Sequence, residues 1–499
     1  MTNPFTSIFG FVLFMVGISC SDGGSGQGHE KKSIPKPGVV HEKIVCAERP
    51  GRSYALYLPE PAPPQTSEAS PPGSAQRGQD QPSPPPHQRS RNSGNQLYPV
   101  LIVFDPHGDG MFPLKLYQNL AEKYGFIMLG SNDSKNGLPA EEVNSIADAL
   151  IHEARTVYPV DTNRIYLLGF SGGARVAAMA ALYQVQVKGI IGCGAGFGNT
   201  EQPIKYKFDY FGIAGTADFN MHEMLQLDDA LTRAGFRHFI TTFPGIHAWP
   251  PVAVMEDGFI WITLNAMKDG MVKKDDSFIS GVNTWFEKRF ETLVKNNELI
   301  GAANICREAV SFLEGLKPVD YFNGELTRLE KQPAYLAQLA LRESVMKSEE
   351  EEKQELMQAL QAKDLAWWTK RISNFKSRVS KNELINSKIN PEDTLKNRRL
   401  LSFLILYCYM NANAALARQD ENAAIKIIAI YELVDPVNPE PNYMRAVLLA
   451  RRSDNEAALT QLSMSVSKGF TDKARLNAQP EFRQLNSSTS WDDLMKSIK

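Results

Sequence analysis

Ser171 is the residue whose surroundings most clearly favour nucleophilic chemistry. It is the central residue of GFSGG, the segment 169–173, which has the pattern G-x-S-x-G. The apolar run RIYLLG precedes this segment and ARVAAMAAL follows it, so the sequence predicts a tight turn between a strand and a helix. Such a turn places the serine hydroxyl at a helix N-terminus, where the helix dipole favours developing negative charge. The alternative is an ordinary serine in the glycine-rich turn of an inactive protein.

Asp218 and His247 supply the groups that a serine nucleophile needs. A serine hydroxyl attacks poorly until a base removes its proton. Asp218 lies in the loop after the predicted strand YFGIAG, and His247 lies in the loop after HFITTF. Ligands of a doubly wound sheet bind at the carboxyl ends of its strands, so both loops are expected near Ser171. We therefore expect Asp218 to orient His247, and His247 to take the proton of Ser171.

Other acidic and histidine residues near these loops are weaker candidates for the same roles. Asp209 and His238 lie where their strands begin rather than where they end. Three more fall at the start of the following predicted helix or within it, namely His222, Asp228 and Asp229. His107 is expected to be a structural loop histidine, and Trp249 to pack against the wall of the site.

Two backbone N–H groups are expected to stabilise the oxyanion of a tetrahedral intermediate. The N–H of Gly172, directly after the serine, is one of them. The other is expected in VLIVFDPHGDG, where a buried strand runs into a glycine-rich loop. We assign this second donor to the backbone of Asp109, with Gly110 as the alternative.

The elements that position these residues alternate along 40–270 between short apolar runs and amphipathic segments. The pattern predicts an α/β domain with a doubly wound, mostly parallel sheet. Unbroken apolar runs such as LIVF indicate strands that are covered on both faces. Strands are predicted at 53–58, 98–105, 126–131, 164–169, 187–194, 210–215 and 238–243, with helices at 141–157 and 172–183. The segment 59–95, rich in proline and poor in large apolar residues, is predicted to be a disordered insertion.

The segment 275–499 is predicted to form an all-α domain. Helices are expected at 283–315, 325–363, 366–383, 395–418, 421–433, 441–451 and 455–468. Ala412 and Ala446 are separated by the same interval as Ala424 and Ala458, which resembles the period of tetratricopeptide repeats. That resemblance implies a possible protein partner for this region, whereas the alternative is a helical scaffold without chemistry.

The N-terminal segment 1–20 is predicted to be a signal peptide. The run FTSIFGFVLFMVGISC has no charged residue, and it ends at Cys20 before the polar stretch SDGGSGQG. This ending resembles the lipobox of bacterial lipoproteins, which implies lipidation of Cys20 and a flexible tether over 21–39. An ordinary cleaved signal, an uncleaved anchor and a cytoplasmic protein are the alternatives. Cys46, Cys193, Cys306 and Cys408 have no metal-site spacing and are expected to be buried thiols.

The domain 40–270 resembles the α/β-hydrolase superfamily. The resemblance is to secreted bacterial esterases grouped with polyhydroxybutyrate depolymerases, feruloyl esterases and dienelactone hydrolases. It rests on GRSYALYLP, YPVLIVFDPHGDG, GSNDSKNG, GFSGGA, AGTADFN and GIHAWP. The order Ser171, Asp218, His247 follows that superfamily, while a serine nucleophile excludes the cysteine mechanism of the dienelactone branch. Asp105-Pro106 before the His-Gly pair departs from the usual esterase loop. Asn132 and Asn136 are expected to shape a turn or to line the pocket.

These features together predict a serine carboxylic-ester hydrolase tethered by lipid to a bacterial cell envelope, at the outer membrane or the periplasmic face. Its expected substrate is an ester that is either small or linked to a polysaccharide, and no metal or organic cofactor is implied. A serine peptidase or acyltransferase on the same fold is one alternative. A binding protein with an inactive hydrolase-like scaffold is another. The net charge of −2 gives no basic field of the kind that nucleic-acid binding needs.

Overall fold

The computed structural model describes residues 35–61, 97–183, 187–198, 206–384 and 391–498. The chain divides into two compact units, Met1–Ala340 and Leu341–Lys499. The predicted signal peptide with Cys20, most of the tether and most of the proline-rich insertion lie outside the described residues. The predicted boundary at 270–275 stays a prediction, and the unit that holds the sheet extends to Ala340.

An eight-stranded sheet, counted over the described residues, forms the centre of the first unit. Its strands are β1 (Val40–Val45), β2 (Ser53–Tyr57), β3 (Tyr98–Phe104), β4 (Ile127–Ser131), β5 (Val160–Phe170), β6 (Gly189–Cys193), β7 (Asp209–Gly215) and β8 (His238–Phe243). They are arranged in the order β1-β2-β4-β3-β5-β6-β7-β8. The pairs β1–β2 and β2–β4 are antiparallel, and every other neighbouring pair is parallel. This confirms the predicted mostly parallel sheet.

Helices cover both faces of this sheet. They are α1 (Met111–Tyr124), α2 (Ala140–Val157), α3 (Gly172–Tyr183), α4 (Met221–Ala234), α5 (Val252–Lys268), α6 (Asp276–Lys295), α7 (Leu299–Leu313) and α8 (Asp320–Glu330). One apolar core joins the sheet to α1, α5, α6, α7 and α8, and a second joins it to α2, α3 and α4. The sheet is therefore doubly wound, and the predicted α/β class with a doubly wound, mostly parallel sheet is confirmed.

The strand prediction succeeded where apolar residues run without interruption. Every residue of β2 and β6 is buried, as expected for strands that are covered on both faces. The edge strand β1, with the sequence VHEKIV, was missed. Its side chains are exposed or half-buried, so it lacks the apolar run that marks the inner strands.

Two predicted helices are each interrupted. The predicted helix 283–315 is divided between α6 and α7, because Asn297 adopts a left-handed backbone with φ 60°. The predicted helix 325–363 is divided between α8 and α9 (Pro333–Ala362). Proline lacks the N–H of a helix interior, so Pro333 begins a new helix instead of continuing the old one.

The second unit is helical. Its elements after α9 are α10 (Leu365–Leu384), α11 (Pro391–Ala417), α12 (Glu421–Val434), α13 (Glu440–Arg451), α14 (Asn455–Ser467), α15 (Lys473–Ala478) and α16 (Thr489–Ser497), with a short 3-10 helix at Pro480–Gln484. The four alanines that carry the predicted period, Ala412, Ala424, Ala446 and Ala458, are all fully buried. The repeat family and its partner stay predictions.

Among the described residues, α11 is the one helix that is long and apolar enough to cross a membrane. That finding rests on its length and composition alone. In the second unit, Arg399 of this helix is fully buried and forms an ion pair with Glu349 of α9 at 2.6 Å. The helix therefore contributes a buried charge pair as well as apolar side chains to the core of its unit.

Candidate active site

Ser171 lies in the turn that joins β5 to α3. Its backbone adopts φ 51°, in the left-handed region that side chains other than glycine rarely occupy. Its N–H donates to the carbonyl oxygen of Cys193 at 2.8 Å, which holds the turn against β6. Cys193 is buried and free, like Cys46, Cys306 and Cys408, so the expectation of buried thiols is confirmed.

Glycine is required on both sides of this serine. A Cβ at Gly169 would overlap the carbonyl oxygen of Gly173, because strand and helix meet there without space for a side chain. A Cβ at Gly173 would overlap the carbonyl oxygen of Phe104, the last residue of β3. The glycines of the G-x-S-x-G pattern thus allow the strained turn to fit between β3 and α3.

The structure brings Ser171, His247 and Asp218 into one hydrogen-bonded chain. His247 Nε2 lies 2.9 Å from Ser171 Oγ, and His247 Nδ1 lies 2.9 Å from both carboxylate oxygens of Asp218. An ionised carboxylate only accepts hydrogen bonds, so Nδ1 carries the proton and Nε2 is left to accept the proton of the serine. This geometry is what a base-activated serine requires.

Asp218 is held rigidly beneath the histidine. Its side chain is 1% exposed, and its Oδ1 also accepts the N–H of Asn220 at 2.8 Å. The Asn220 side chain donates to the carbonyl oxygen of Gly194 at 2.8 Å. Gly194 has φ 66°, and a Cβ there would lie 3.1 Å from Asp218 Oδ2 and 3.2 Å from His247 Cε1. The loop after β6 therefore forms the floor under the Asp218–His247 pair.

Two aromatic rings hold the imidazole of His247. The Phe170 centroid lies 4.7 Å away and the Phe219 centroid 4.3 Å away. Each phenylalanine is next in sequence to another residue of the hydrogen-bonded chain, because Phe170 precedes Ser171 and Phe219 follows Asp218. Neither phenylalanine was predicted from the sequence, although their adjacency to Ser171 and Asp218 was a signal that could have indicated them.

The competing acids and histidines are engaged elsewhere. Asp209 accepts hydrogen bonds from Arg237 at 2.8 Å, at the amino end of β7. His238 pairs with Asp228 at 3.3 Å. His222 and Asp229 lie on α4. None of them belongs to the hydrogen-bonded chain formed by Ser171, His247 and Asp218.

The two expected oxyanion donors lie on neighbouring elements. Gly172 is the first residue of α3, where N–H groups have no partner within the helix. The loop that carries Asp109 begins after Phe104, which is the register partner of Gly169 in the β3–β5 ladder. The carboxylate of Asp109 accepts the N–H of Phe112 at 3.0 Å. This bond directs its negative charge to the start of α1. Gly110, the alternative, packs against the backbone of Gly130 with no space for a side chain.

The loop after β4 supports the Asp109 loop and reaches the serine turn. His107 and Lys135 form an antiparallel bridge, and Asn136 N–H donates to the carbonyl oxygen of Pro106 at 2.8 Å. The Asn136 side chain lies directly against Gly172, where a Cβ would overlap its Oδ1. Asn132 instead donates to the carbonyl oxygen of Glu42 at 3.2 Å. Asn136 therefore lines the serine turn, whereas Asn132 shapes its loop.

Asp105, which in the sequence stands out only as a departure from the usual His-Gly loop, is a buried carboxylate. Its Oδ1 accepts the N–H of His107 at 2.8 Å, and its Oδ2 accepts Trp249 Nε1 at 2.9 Å. Burial opposes ionisation, but these bonds outweigh it and hold the pKa of Asp105 below its ordinary value. The bond to Asp105 in turn raises the pKa of His107.

Trp249 packs as predicted against the wall of the site. Its ring centroid lies 5.5 Å from that of Phe170 and 5.9 Å from that of Tyr117. Two apolar side chains near these loops are exposed. Ile246, directly before His247, is 60% exposed, and Phe112, shortly after Asp109, is 49% exposed.

No protein-family model matches the sequence, and no curated protein sequence matches it. Among solved structures, the chain is similar to the S-formylglutathione hydrolase of Staphylococcus aureus, at 14% identity over 46% of this chain and 99% of that chain, with a TM-score of 0.33. It is similar to a Bacillus cereus carboxylesterase, at 19% identity over 34% of this chain and 91% of that chain, with a TM-score of 0.28. It is also similar to the acylaminoacyl peptidase of Pyrococcus horikoshii, at 13% identity over 44% of this chain and 39% of that chain, with a TM-score of 0.30.

Proposed function

We propose that the protein is a serine hydrolase that cleaves carboxylic esters through an acyl-enzyme on Ser171. The observation that carries this proposal is the unbroken hydrogen-bonded chain from Ser171 Oγ through His247 to Asp218, with 2.9 Å at each step. The strained backbone of Ser171 supports it, because strain in a turn that holds a nucleophile serves its presentation.

Acylation begins when His247 Nε2 accepts the proton of Ser171 as Oγ attacks the ester carbonyl carbon. The carbonyl oxygen becomes an oxyanion, which the N–H groups of Gly172 and Asp109 stabilise; one such donor contributes about 10²–10³ in rate. Asp218 stabilises the imidazolium and keeps Nδ1 protonated. The intermediate then collapses, the bond to the alcohol oxygen breaks, and His247 returns its proton to the departing alcohol.

Deacylation repeats the same steps with water as the nucleophile. His247 removes a proton from water, and the resulting hydroxide attacks the acyl carbon of the ester on Ser171. Collapse of the second intermediate releases the carboxylic acid, and Ser171 Oγ recovers its proton from His247. General base catalysis by a positioned imidazole contributes about 10²–10⁴ in rate to each half-reaction.

We further propose that the substrate is a small acyl ester, either free or attached to a polysaccharide. The resemblance to secreted bacterial esterases supports this class. The exposed side chains of Ile246 and Phe112 also support it. Ile246 lies in the loop that carries His247, Phe112 follows the loop that carries Asp109, and both offer apolar surface to an acyl group.

Labelling with a fluorophosphonate probe tests the nucleophile, since this probe reacts with activated serines. The wild-type protein is expected to be labelled, and Ser171→Ala and His247→Ala are expected to lose the label. Ser373→Ala, which alters an exposed serine of α10, is the matched control and should label like wild type. Equal labelling of Ser171→Ala would reject the assignment of the nucleophile.

Substrate preference separates the ester hydrolase from its peptidase alternative. A series of p-nitrophenyl esters of increasing acyl length is compared with peptide p-nitroanilides of similar size. We expect the short esters to be turned over in a reaction that depends on Ser171, and we expect no such turnover of the anilides. Faster Ser171-dependent cleavage of the anilides would replace the esterase by a peptidase.

We also propose that Cys20 is lipidated and tethers the protein to the bacterial envelope, on the support of its lipobox-like sequence. Metabolic labelling with an alkyne fatty acid tests this proposal. The wild-type protein and the Ser21→Ala control should carry the label and sediment with membranes, whereas Cys20→Ser should do neither. A label that persists in Cys20→Ser would contradict the anchor.

A further inference from the structure

We propose that Asp105 is a positioning residue that fixes the loop carrying His247 relative to the loop carrying Asp109. The inference rests on the proposed function of Ser171, and it assigns to Asp105 no contact with substrate. Asp105 directly follows β3, and its side chain is 5% exposed. It is thus a carboxylate buried at the carboxyl ends of the strands, where the hydrogen-bonded chain of Ser171, His247 and Asp218 also lies.

Each oxygen of Asp105 bonds a different loop. Oδ1 accepts the backbone N–H of His107 at 2.8 Å, and the His107 ring nitrogen Nδ1 lies 3.3 Å from the same oxygen. Oδ2 accepts Trp249 Nε1 at 2.9 Å, across 144 residues of chain. A single carboxylate therefore joins two loops that the sequence separates widely.

On one side, the link leads to the base. Trp249 follows His247 by one intervening residue, and its ring contacts Phe170, which in turn packs against the imidazole of His247. The hydroxyl of Tyr117 donates a hydrogen bond to the carbonyl oxygen of the next residue, Pro250, at 2.7 Å. The rings of Phe170 and Tyr117 therefore contact the indole on two sides, and the bond to Asp105 fixes its position between them.

On the other side, the link leads to the expected oxyanion donor. Gly108 N–H donates to the carbonyl oxygen of Asp105 at 3.3 Å, which closes a turn just before Asp109. The turn requires φ 78° at Gly108. The backbone of Asp105 and its side chain thus both set the course of the chain into Asp109.

The chemistry of a carboxylate suits this position. It accepts at both oxygens, whereas the carboxamide of asparagine accepts at one and would present its NH₂ to a second donor. A buried carboxylate is unfavourable unless both oxygens are bonded, and here the two shortest bonds come one from each loop. Because a displacement of about 1 Å can lower a rate about 10²-fold, this link is expected to affect catalysis more than substrate binding.

The test compares steady-state kinetics on p-nitrophenyl butyrate for Asp105→Asn, Trp249→Phe and the double variant. Asp105→Asn should lower kcat about 30-fold with KM changed less than about 3-fold, and Trp249→Phe should lower kcat about 10-fold. The double variant should lose about 30-fold, rather than the about 300-fold expected if the two residues acted independently.

Asp209→Asn is the matched control, because Asp209 is also buried and bonded at both oxygens, but at the amino end of β7. It should lower the melting temperature and leave kcat within about 2-fold, measured well below that temperature. If Asp105→Asn leaves kcat within about 3-fold, or if the losses of the two single variants multiply in the double variant, the proposal is overturned. Should Asp105→Asn fail to fold, the kcat of Trp249→Phe decides, and an unchanged kcat there overturns the proposal.

The rate of fluorophosphonate labelling separates this result from a failure of the proposed function. If the wild-type protein labels at Ser171 and Asp105→Asn labels more slowly, both proposals are supported. If the wild-type protein does not label, the function itself is rejected, and the link between the loops loses its meaning for catalysis.

Discussion

Buried carboxylates have different partners at the two ends of the strands, which we call the carboxyl edge and the amino edge of the sheet. At the carboxyl edge, Asp105 and Asp218 accept hydrogen bonds from an indole, an imidazole and backbone N–H groups. At the amino edge, Asp209 is bonded by the guanidinium of Arg237, which also bonds Asp269. Carboxylates at the first edge orient the N–H groups that donate hydrogen bonds to them, whereas those at the second edge neutralise a permanent cation.

The turns at the two edges differ in which residue adopts positive φ. Ser171 at the carboxyl edge is a non-glycine residue with φ 51°, whereas the left-handed residues just before β4 and β8 are glycines, Gly125 and Gly235. Strain on a residue that carries a side chain therefore lies at the edge that holds the hydrogen-bonded chain. Substitutions at the carboxyl edge, where rigid turns hold the hydrogen-bonded chain, should therefore lower the rate, whereas substitutions at the amino edge should affect stability alone.

The largest expected effect is that of Ser171→Ala at the carboxyl edge. Removal of the nucleophile should lower kcat for p-nitrophenyl butyrate by about 10⁴–10⁶-fold, because the residual oxyanion donors alone cannot form an acyl-enzyme. Steady-state kinetics measure the loss, and the melting temperature should not fall. A residual rate within about 10-fold of wild type would show that another group attacks.

Asp218→Asn should lower kcat by about 10⁴-fold. Asparagine keeps the shape but permits the wrong tautomer of His247, so that Nε2 no longer accepts the proton of Ser171. Asp209→Asn at the amino edge is the matched change and should leave kcat unaltered. Equal losses of activity in the two variants would break the distinction between the edges.

Glu308→Gln should alter only the dependence of stability on pH. Glu308 is buried, faces Arg289 at 3.8 Å, and its pKa is raised because burial outweighs that cation and nearby Asp257 adds repulsion. A raised carboxyl pKa makes the folded state bind more protons than the unfolded state, so stability falls as pH rises from about 4.5. Melting temperatures from pH 5 to 9 should therefore fall less in Glu308→Gln than in wild type, by several degrees. The exposed Glu291→Gln should show the wild-type slope.

Asp269→Asn is expected to have the smallest effect. The bonds from Arg237 lower the pKa of Asp269 to about 2, so its contribution to stability is present above the unfolded pKa of 3.8 and is lost as pH falls towards 2. The advantage of wild type over Asp269→Asn should be about 2 °C or less at pH 5, and it should vanish near pH 2. An advantage that grows on acidification would contradict the sign.

The sequence was sufficient for the fold class and for three side chains of the site. Uninterrupted apolar runs identify the inner strands, and parallel pairing brings the ends of β5, β7 and β8 to one edge. Ser171 and Asp218 each follow such a run, and His247 follows the edge strand β8, whose sequence HFITTF is rich in β-forming residues, so local patterns place all three. The half-exposed β1 was missed because VHEKIV has no apolar run, and the breaks at Asn297 and Pro333 were missed because periodicity does not resolve short interhelical turns.

The supporting groups of the site depend on contacts between distant segments. Asp105 bonds Trp249 across 144 residues, and no pattern near either residue indicates the pair. Phe170 and Phe219 were visible as neighbours of Ser171 and Asp218, but only tertiary packing shows that both rings enclose His247. Side-chain contacts of this kind follow from the packing of loops, which local sequence periodicity does not encode.

The left-handed backbone of Ser171 sets stability and reactivity against each other. A non-glycine residue with positive φ destabilises a fold by about 1–3 kcal/mol, and glycine at position 171 would relieve most of that. The most heat-resistant version of this turn is therefore one without a nucleophile. A selection that scores melting temperature alone would discard Ser171 first, so any effort to stabilise this protein must score activity at each round.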